Sequence, residues 1–284
     1  MANVAGTGKQ PTFRHLTIRG AKMVTIEVGP EKHPFIAHKD LLCYHSPYFR
    51  AAFEGSFMEA QQGKITLDEV LPETFGCFLD WLYMGKIPYV PGNEVDYSTS
   101  SDAGATSDSD DNTPWKALYT FADRYNTPKL RTVIMDKVLA YVRIWNWVRD
   151  GPDELLDLYI FGDRFVIPEL KRAIIDKWIF VYDHAPEYEL IIRAYAELPE
   201  SSGLRKLLVN LNIKHFEQRY EGELRKELPR LFLEDMYIGY ATTRRGINID
   251  PCDYHEHSDE ADRKDASRNG KRWGERKRWM FIQE

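Results

Sequence analysis

The chain has 284 residues, 43% hydrophobic and 13% aromatic, enough for one or two domains with a sizeable core. Its formal net charge of −6 provides no general attraction to nucleic acid or to an anionic membrane. Cys43, Cys77 and Cys252 are an odd, widely spaced set that suits a reducing compartment better than a disulfide scaffold.

Residues 1–12 read as a disordered leader without an apolar signal core. Gly6-Thr7-Gly8-Lys9 echoes a phosphate-binding loop, but it lacks the first glycine and has Gln10 where a hydroxyl is needed. Val24, Ile26 and Val28 alternate with Thr25 and Glu27, the period of a half-buried strand, and Gly29-Pro30 turns the chain towards a partner strand at Phe35-Ile36-Ala37. Leu41 and Leu42 line the inner side of a helical stretch. Ser46-Pro47 then marks a helix start, with the Ser hydroxyl free to accept a first-turn N–H and Pro at the first helical position. Phe49, Ala52 and Phe53 follow at helical spacing, and each buried ring stabilises by about 1.5–3 kcal/mol.

Lys64 to Val70 reads as a third strand with Ile65 and Leu67 on one face. Pro72-Glu73 opens an amphipathic helix carrying Phe75, Phe78, Leu79 and Leu82, which Gly85 ends. Ile87-Pro88-Tyr89 is expected to be an edge strand. Residues 91–114 lack Lys and Arg and are rich in Ser, Thr, Asp and Gly, so a disordered acidic loop is expected there, with Ser107 and Ser109 beside acidic neighbours.

An internal repeat follows. Leu118-Tyr119, Phe121, Asp123-Arg124-Tyr125, Pro128 and Leu130 return as Leu158-Tyr159, Phe161, Asp163-Arg164-Phe165, Pro168 and Leu170, and Ile134, Asp136 and Lys137 match Ile174, Asp176 and Lys177. Each copy predicts a helix, a short turn and a second helix opened by Pro. Two copies fall short of the roughly three that a solenoid needs, and the repeated Asp-Arg pairs are expected to be surface ion pairs or helix-end charges. Leu190, Ile191, Ala194 and Leu198 predict a further helix. Ser201-Ser202 is expected to cap the next, whose Leu204, Leu207, Leu208 and Leu211 form a stripe expected to pack inward, and Leu231 to Tyr240 predicts the last.

From about Asp250 the chain is charged throughout. Cys252, His255 and His257 lie close in sequence but have neither a fourth ligand at a recognisable spacing nor an expected folded context, so no metal is expected. Arg263 to Trp279 is net basic, with Trp273 and Trp279 interleaved. A solvated tail is the expectation, with nuclear import or nucleic-acid contact through 263–279 as the alternative.

The ordered run of Phe35, Ala37, His38, Lys39, Leu42, Ser46, Tyr48, Phe49 and Phe53, followed by Ile65, Leu67, Val70, Pro72, Glu73, Phe75, Trp81, Leu82, Tyr83 and Gly85, resembles the BTB (POZ) domain over residues 13–145. Residues 194–209 resemble the helical tail of the stand-alone BTB proteins abundant in fungi. The resemblance implies an α+β fold, a small β-sheet packed against helices, followed by an all-α extension. The organisation expected is a leader at 1–12, a BTB domain at 13–145 interrupted by the loop at 91–114, a helical extension at 146–245 and a disordered charged tail at 246–284.

What the resemblance implies for function is protein–protein interaction. In BTB adaptors of cullin-type ubiquitin ligases a hydrophobic–x–Glu pattern follows the second long helix of the core, and Phe57-Met58-Glu59 occupies that place. Dimeric members pair an acid before the first core strand with the basic residue after the His. Here the acidic position holds Met23 and the basic one is kept as Lys39, so half of the polar pocket is missing while an apolar homodimer surface can persist. The sequence carries no G-x-S-x-G elbow, H-E-x-x-H, complete phosphate loop or C-x-x-C pair, and His38 and Lys39 read as structural. The expectation is therefore a non-enzymatic protein with no cofactor, no small-molecule substrate and no membrane partner. It would be located in the cytoplasm or nucleus, with a cullin scaffold or a second copy as partner. The alternative is a nuclear regulatory scaffold that self-associates through the BTB domain and uses its basic tail.

Overall fold

Strict alternation builds the first strand. Over β1 (Met23–Val28), Val24, Ile26 and Val28 point inward while Met23, Thr25 and Glu27 face outward. The computed structural model describes residues 21–87, 113–144, 147–181, 184–215, 227–242 and 249–265, and they divide into two units at Tyr141/Val142.

In the first unit β1 pairs antiparallel with β2 (His33–His38), Val24 opposite Ala37, and parallel with β3 (Lys64–Leu67), Ile26 opposite Ile65. The sheet order is β2-β1-β3. The hairpin turns at Gly29, whose φ of 76° suits a residue without Cβ.

Between β2 and β3 lie α1 (Lys39–His45), α2 (Pro47–Glu54) and α3 (Met58–Gln62). Ser46 acts as the sequence predicts and does more. Its Oγ accepts from the Phe49 amide at 3.1 Å and donates to the Tyr125 carbonyl at 2.6 Å, fixing the α1–α2 corner to a residue 79 positions away. Arg50 closes α1 by donating twice to the Cys43 carbonyl, at 3.1 and 2.8 Å.

Next come α4 (Pro72–Met84), which stops at Gly85 with φ 68°, α5 (Pro114–Arg124) and α6 (Pro128–Ile144). Phe49, Phe78, Phe121 and Tyr125 make a continuous aromatic centre, with Phe49–Phe78 centroids 6.1 Å apart, Phe78–Phe121 4.8 Å and Phe121–Tyr125 4.7 Å. Two expectations change here. Ile87 is irregular rather than strand, with residues 88 and 89 outside the described set. Pro114 belongs to α5 as its first residue rather than to the acidic loop, because its fixed φ and missing N–H suit a helix start. The rest of that loop expectation, up to residue 112, and the leader at 1–12 lie outside the described residues.

The second unit holds α7 (Trp147–Arg164), broken at Gly151-Pro152 where Gly151 has φ 69°, then α8 (Pro168–Val181), α9 (Tyr188–Glu197), α10 (Gly203–His215) and α11 (Arg230–Thr242). The predicted leucine stripe of α10 is buried. Both copies of the repeat end their first helix in the same Schellman turn. Thr127 N donates to Ala122 O and Ile167 N to Gly162 O, each at 2.8 Å, and the left-handed positions are Asn126 and Val166. The repeat also conserves an ion pair between these helices, Asp123 with Arg131 and Asp163 with Lys171. Asp123 and Asp163 thus have the ion-pair role expected of them, and Arg124 pairs with Glu69.

The tail expected to be disordered from 246 is structured over 249–265. A 3₁₀ turn (Pro251–Asp253) leads into Tyr254, which is buried and accepts at its hydroxyl from Asn210 Nδ2 at 2.9 Å. Gly203 makes room, since a Cβ there would lie 1.9 Å from the Tyr254 carbonyl oxygen. Glu256 pairs with Lys171, accepts from the Tyr159 hydroxyl at 3.3 Å, and receives the first amide of α10, Gly203 N–H, at 3.3 Å. A carboxylate thus stands at the helix start where serines were expected to cap. Burial pushes the Glu256 pKa up, but Lys171 and the Gly203 amide outweigh it and hold it below the ordinary value. Arg172 grips Asp262 through both carboxylate oxygens and lowers its pKa to about 2. Charge composition suggests a solvated tail; these pairings instead fix it against α8 and α10.

Candidate functional site

The exposed features of the first unit are set by short helices. Ala51, Gly55 and Phe57 stand at the end of α2, where a Cβ on Gly55 would meet the Phe57 ring at 3.1 Å and the Ala51 carbonyl at 2.5 Å. The glycine lets the ring lie over the end of the helix. Phe57 is the N-cap of α3, 62% exposed, and Met58 beside it is 68% exposed. A five-residue helix has too few positions to bury both, and no residue of α3 is buried.

Glu59 is half-buried in the first turn of α3. It lies close enough to Tyr48 that, after burial, its negative charge is the next cause raising the Tyr48 pKa, while Arg124 opposes. Tyr48 is 39% exposed and packs edge-on against Tyr125 at 5.0 Å. Tyr48, Phe57, Met58 and Glu59 therefore present two aromatic rings, a thioether and an acid on neighbouring helices, with the Arg124–Glu69 pair of the same unit near Tyr48. Phe57 and Glu59 were legible from their pattern. Met58 was not, because an apolar residue at the start of a helix reads as core; Tyr48 was read only as a signature of the fold.

Met23 and Lys39 have different roles. Met23 opens β1 opposite His38 and is exposed. Lys39 starts α1, and its Nζ donates to the Phe53 carbonyl at 2.7 Å, a cation satisfying the last turn of α2. The remaining signature residues hold the frame. His38 donates its backbone N–H to the Tyr83 hydroxyl at 2.9 Å, and its Nδ1 lies 2.8 Å from the same oxygen, tying the end of β2 to the end of α4 just before Gly85. Phe35 packs edge-on against Phe75 at 5.1 Å, and Leu42, Phe49 and Phe53 are buried.

With this geometry in view, residues 22–101 match the model of the BTB/POZ domain. The chain carries a BTB/POZ domain. BTB/POZ domains mediate protein–protein interaction. Similar proteins include human Kelch-like protein 30, 37% identical over 70 residues, which are 25% of this chain and 12% of that protein. Human Kelch repeat and BTB domain-containing protein 7 is 29% identical over 126 residues, covering 38% of this chain and 18% of the relative. Mouse TD and POZ domain-containing protein 1-like is 35% identical over 63 residues, covering 22% and 17%. The chain thus spans less than a fifth of the length of each of these relatives. Among the described residues no helix is long and apolar enough to cross a membrane.

Proposed function

We propose that this BTB protein is a non-catalytic adaptor that docks the scaffold of a cullin-type ubiquitin ligase, with Phe57 as the apolar anchor, Glu59 as its acidic rim and Tyr48 and Met58 beside them. The observation that carries the reading is the 62% exposure of Phe57 at the start of α3. A large ring held in water beside an acid costs hydration and returns nothing until a partner covers it, which is how an interface anchor behaves. The likeness to Kelch-like proteins supports the same reading. Self-association through the exposed Met23 end of the sheet is compatible with it, because Lys39 is committed internally to Phe53.

Calorimetric titration of the full chain with the N-terminal domain of a cullin scaffold tests the proposal. Phe57→Ala alone is expected to weaken binding by at least about 2 kcal/mol, the loss of a hot-spot anchor, with unchanged thermal stability. Binding that Phe57→Ala and Glu59→Ala leave intact, or none by the intact protein, would sink the adaptor reading.

A further inference from the structure

We infer that Cys252, His255 and His257 form a zinc-binding site within the C-terminal segment, oriented from α8 by Asp176. The ligand atoms of these three side chains lie within 4.8 Å of one another. The backbone gathers them. Asp250 accepts the Cys252 amide at 3.0 Å, His255 N–H donates to the Pro251 carbonyl at 3.1 Å, and His257 N–H donates to the His255 carbonyl at 3.0 Å, so a turn and a tight bend bring positions 252, 255 and 257 to one side.

The imidazoles are the second, independent observation. The His255 side chain is 6% exposed and that of His257 8%. His255 Nδ1 and both ring nitrogens of His257 are buried without a hydrogen-bond partner. The nearest acid to His257 is Asp262, 3.7 Å away, and its carboxylate is already taken by Arg172 and by the Ser258 amide at 3.0 Å. Buried polar atoms are nearly always satisfied, so three such nitrogens clustered beside a thiol mark a place where something binds.

His255 has the arrangement a metal ligand needs. Its Nε2 lies 3.0 Å from Asp176 Oδ1, which fixes the tautomer and leaves the buried Nδ1 lone pair free to ligate. One thiolate and two imidazoles select zinc over magnesium or calcium. With ligand bonds of about 2.0–2.3 Å a tetrahedral ion needs only modest side-chain rotation to draw the three atoms in. Water fills the fourth position. Binding replaces the Cys252 S–H bond by a sulfur–metal bond and releases the proton to solvent.

The full chain, purified without a metal-affinity tag and stripped with chelator, is titrated with Co²⁺ alone and then with Zn²⁺ alone. A single cobalt per chain with a thiolate-to-cobalt charge-transfer absorption, displaced by zinc and absent in Cys252→Ser, is the expected result. Asp176→Asn keeps the absorption but weakens the affinity by about 10–100-fold, as loss of an orienting carboxylate does. This variant leaves all three ligands in place, so it tests the site even where Cys252→Ser disturbs folding. No charge-transfer absorption, its persistence in Cys252→Ser, or an affinity unmoved by Asp176→Asn would overturn the assignment.

Discussion

Val166 holds a φ of 53° while 81% exposed, and Asn126, its counterpart in the first copy of the repeat, holds 48°. The backbone demand is the same, since both residues stand at the left-handed position of a Schellman turn, but the residue types bear it unequally. Asn tolerates this region because its short polar side chain bonds locally; a β-branched side chain crowds the carbonyl at a cost of about 1–2 kcal/mol. Val166→Asn is therefore expected to raise the stability of the helical unit by about 1 kcal/mol, read as a higher urea midpoint with an unchanged slope. A lower midpoint would mean that the valine methyls pack in a way that outweighs the backbone. The repeat itself was legible because Pro128 and Pro168 punctuate it identically. The strain was not, because nothing about Val in a sequence announces a positive φ. Phe57 and Glu59 were legible only as a pattern, and the exposure that gives them meaning came from the brevity of α3, a length the sequence marks only by Gly63.

The docking of residues 249–265 depends on an element boundary. Glycine at the start of α10 looks like a propensity defect, and its reason is the Tyr254 carbonyl, which a Cβ would meet at 1.9 Å. Gly203→Ala is expected to push the turn off the helix, destabilising the second unit by about 1–3 kcal/mol as overpacking does. Hydrogen exchange of peptides covering 251–262 would rise, while exchange in α4 and α5 of the BTB unit stays as it was. Unchanged exchange at 251–262 would show that the tail is held by Arg172–Asp262 and Lys171–Glu256 alone. The same boundary explains why sequence alone suggests disorder for this segment: its composition is that of solvated chain, and its partners, Lys171, Arg172 and Asn210, are 44 to 90 residues distant in sequence. Period and propensity see only neighbours. The strands and helices of the BTB unit were legible because their information is local: alternation in β1, Ser46-Pro47 at a corner and Gly85 at a stop.

For the whole molecule, acid is the perturbation that reads these arrangements together, and His45 gives the BTB unit its own signature. The ring is buried between Tyr44, 4.8 Å away, and Trp81, at 4.9 Å. Burial, reinforced by the positive charge of Lys129, pushes its pKa from 6.5 down to about 4. The unfolded chain therefore takes up this proton first. Stability is full above pH 6.5, declines as the pH falls through the window, and stops changing on this account below about 4, a loss of about 3 kcal/mol in all. His257 in the other unit is also lowered, by burial and then by Arg172 and His255, and works in the same direction, so the slope of the intact protein contains both. His45→Phe keeps a ring between Tyr44 and Trp81 but cannot take a proton. Urea midpoints measured between pH 7 and 4 should fall more steeply in the parent than in His45→Phe, and since His257 is common to both, the difference belongs to His45. Parallel curves would mean that the folded unit takes up the proton at His45 as readily as the unfolded chain, and that the corner between α1 and α4 opens to water well before the unit unfolds.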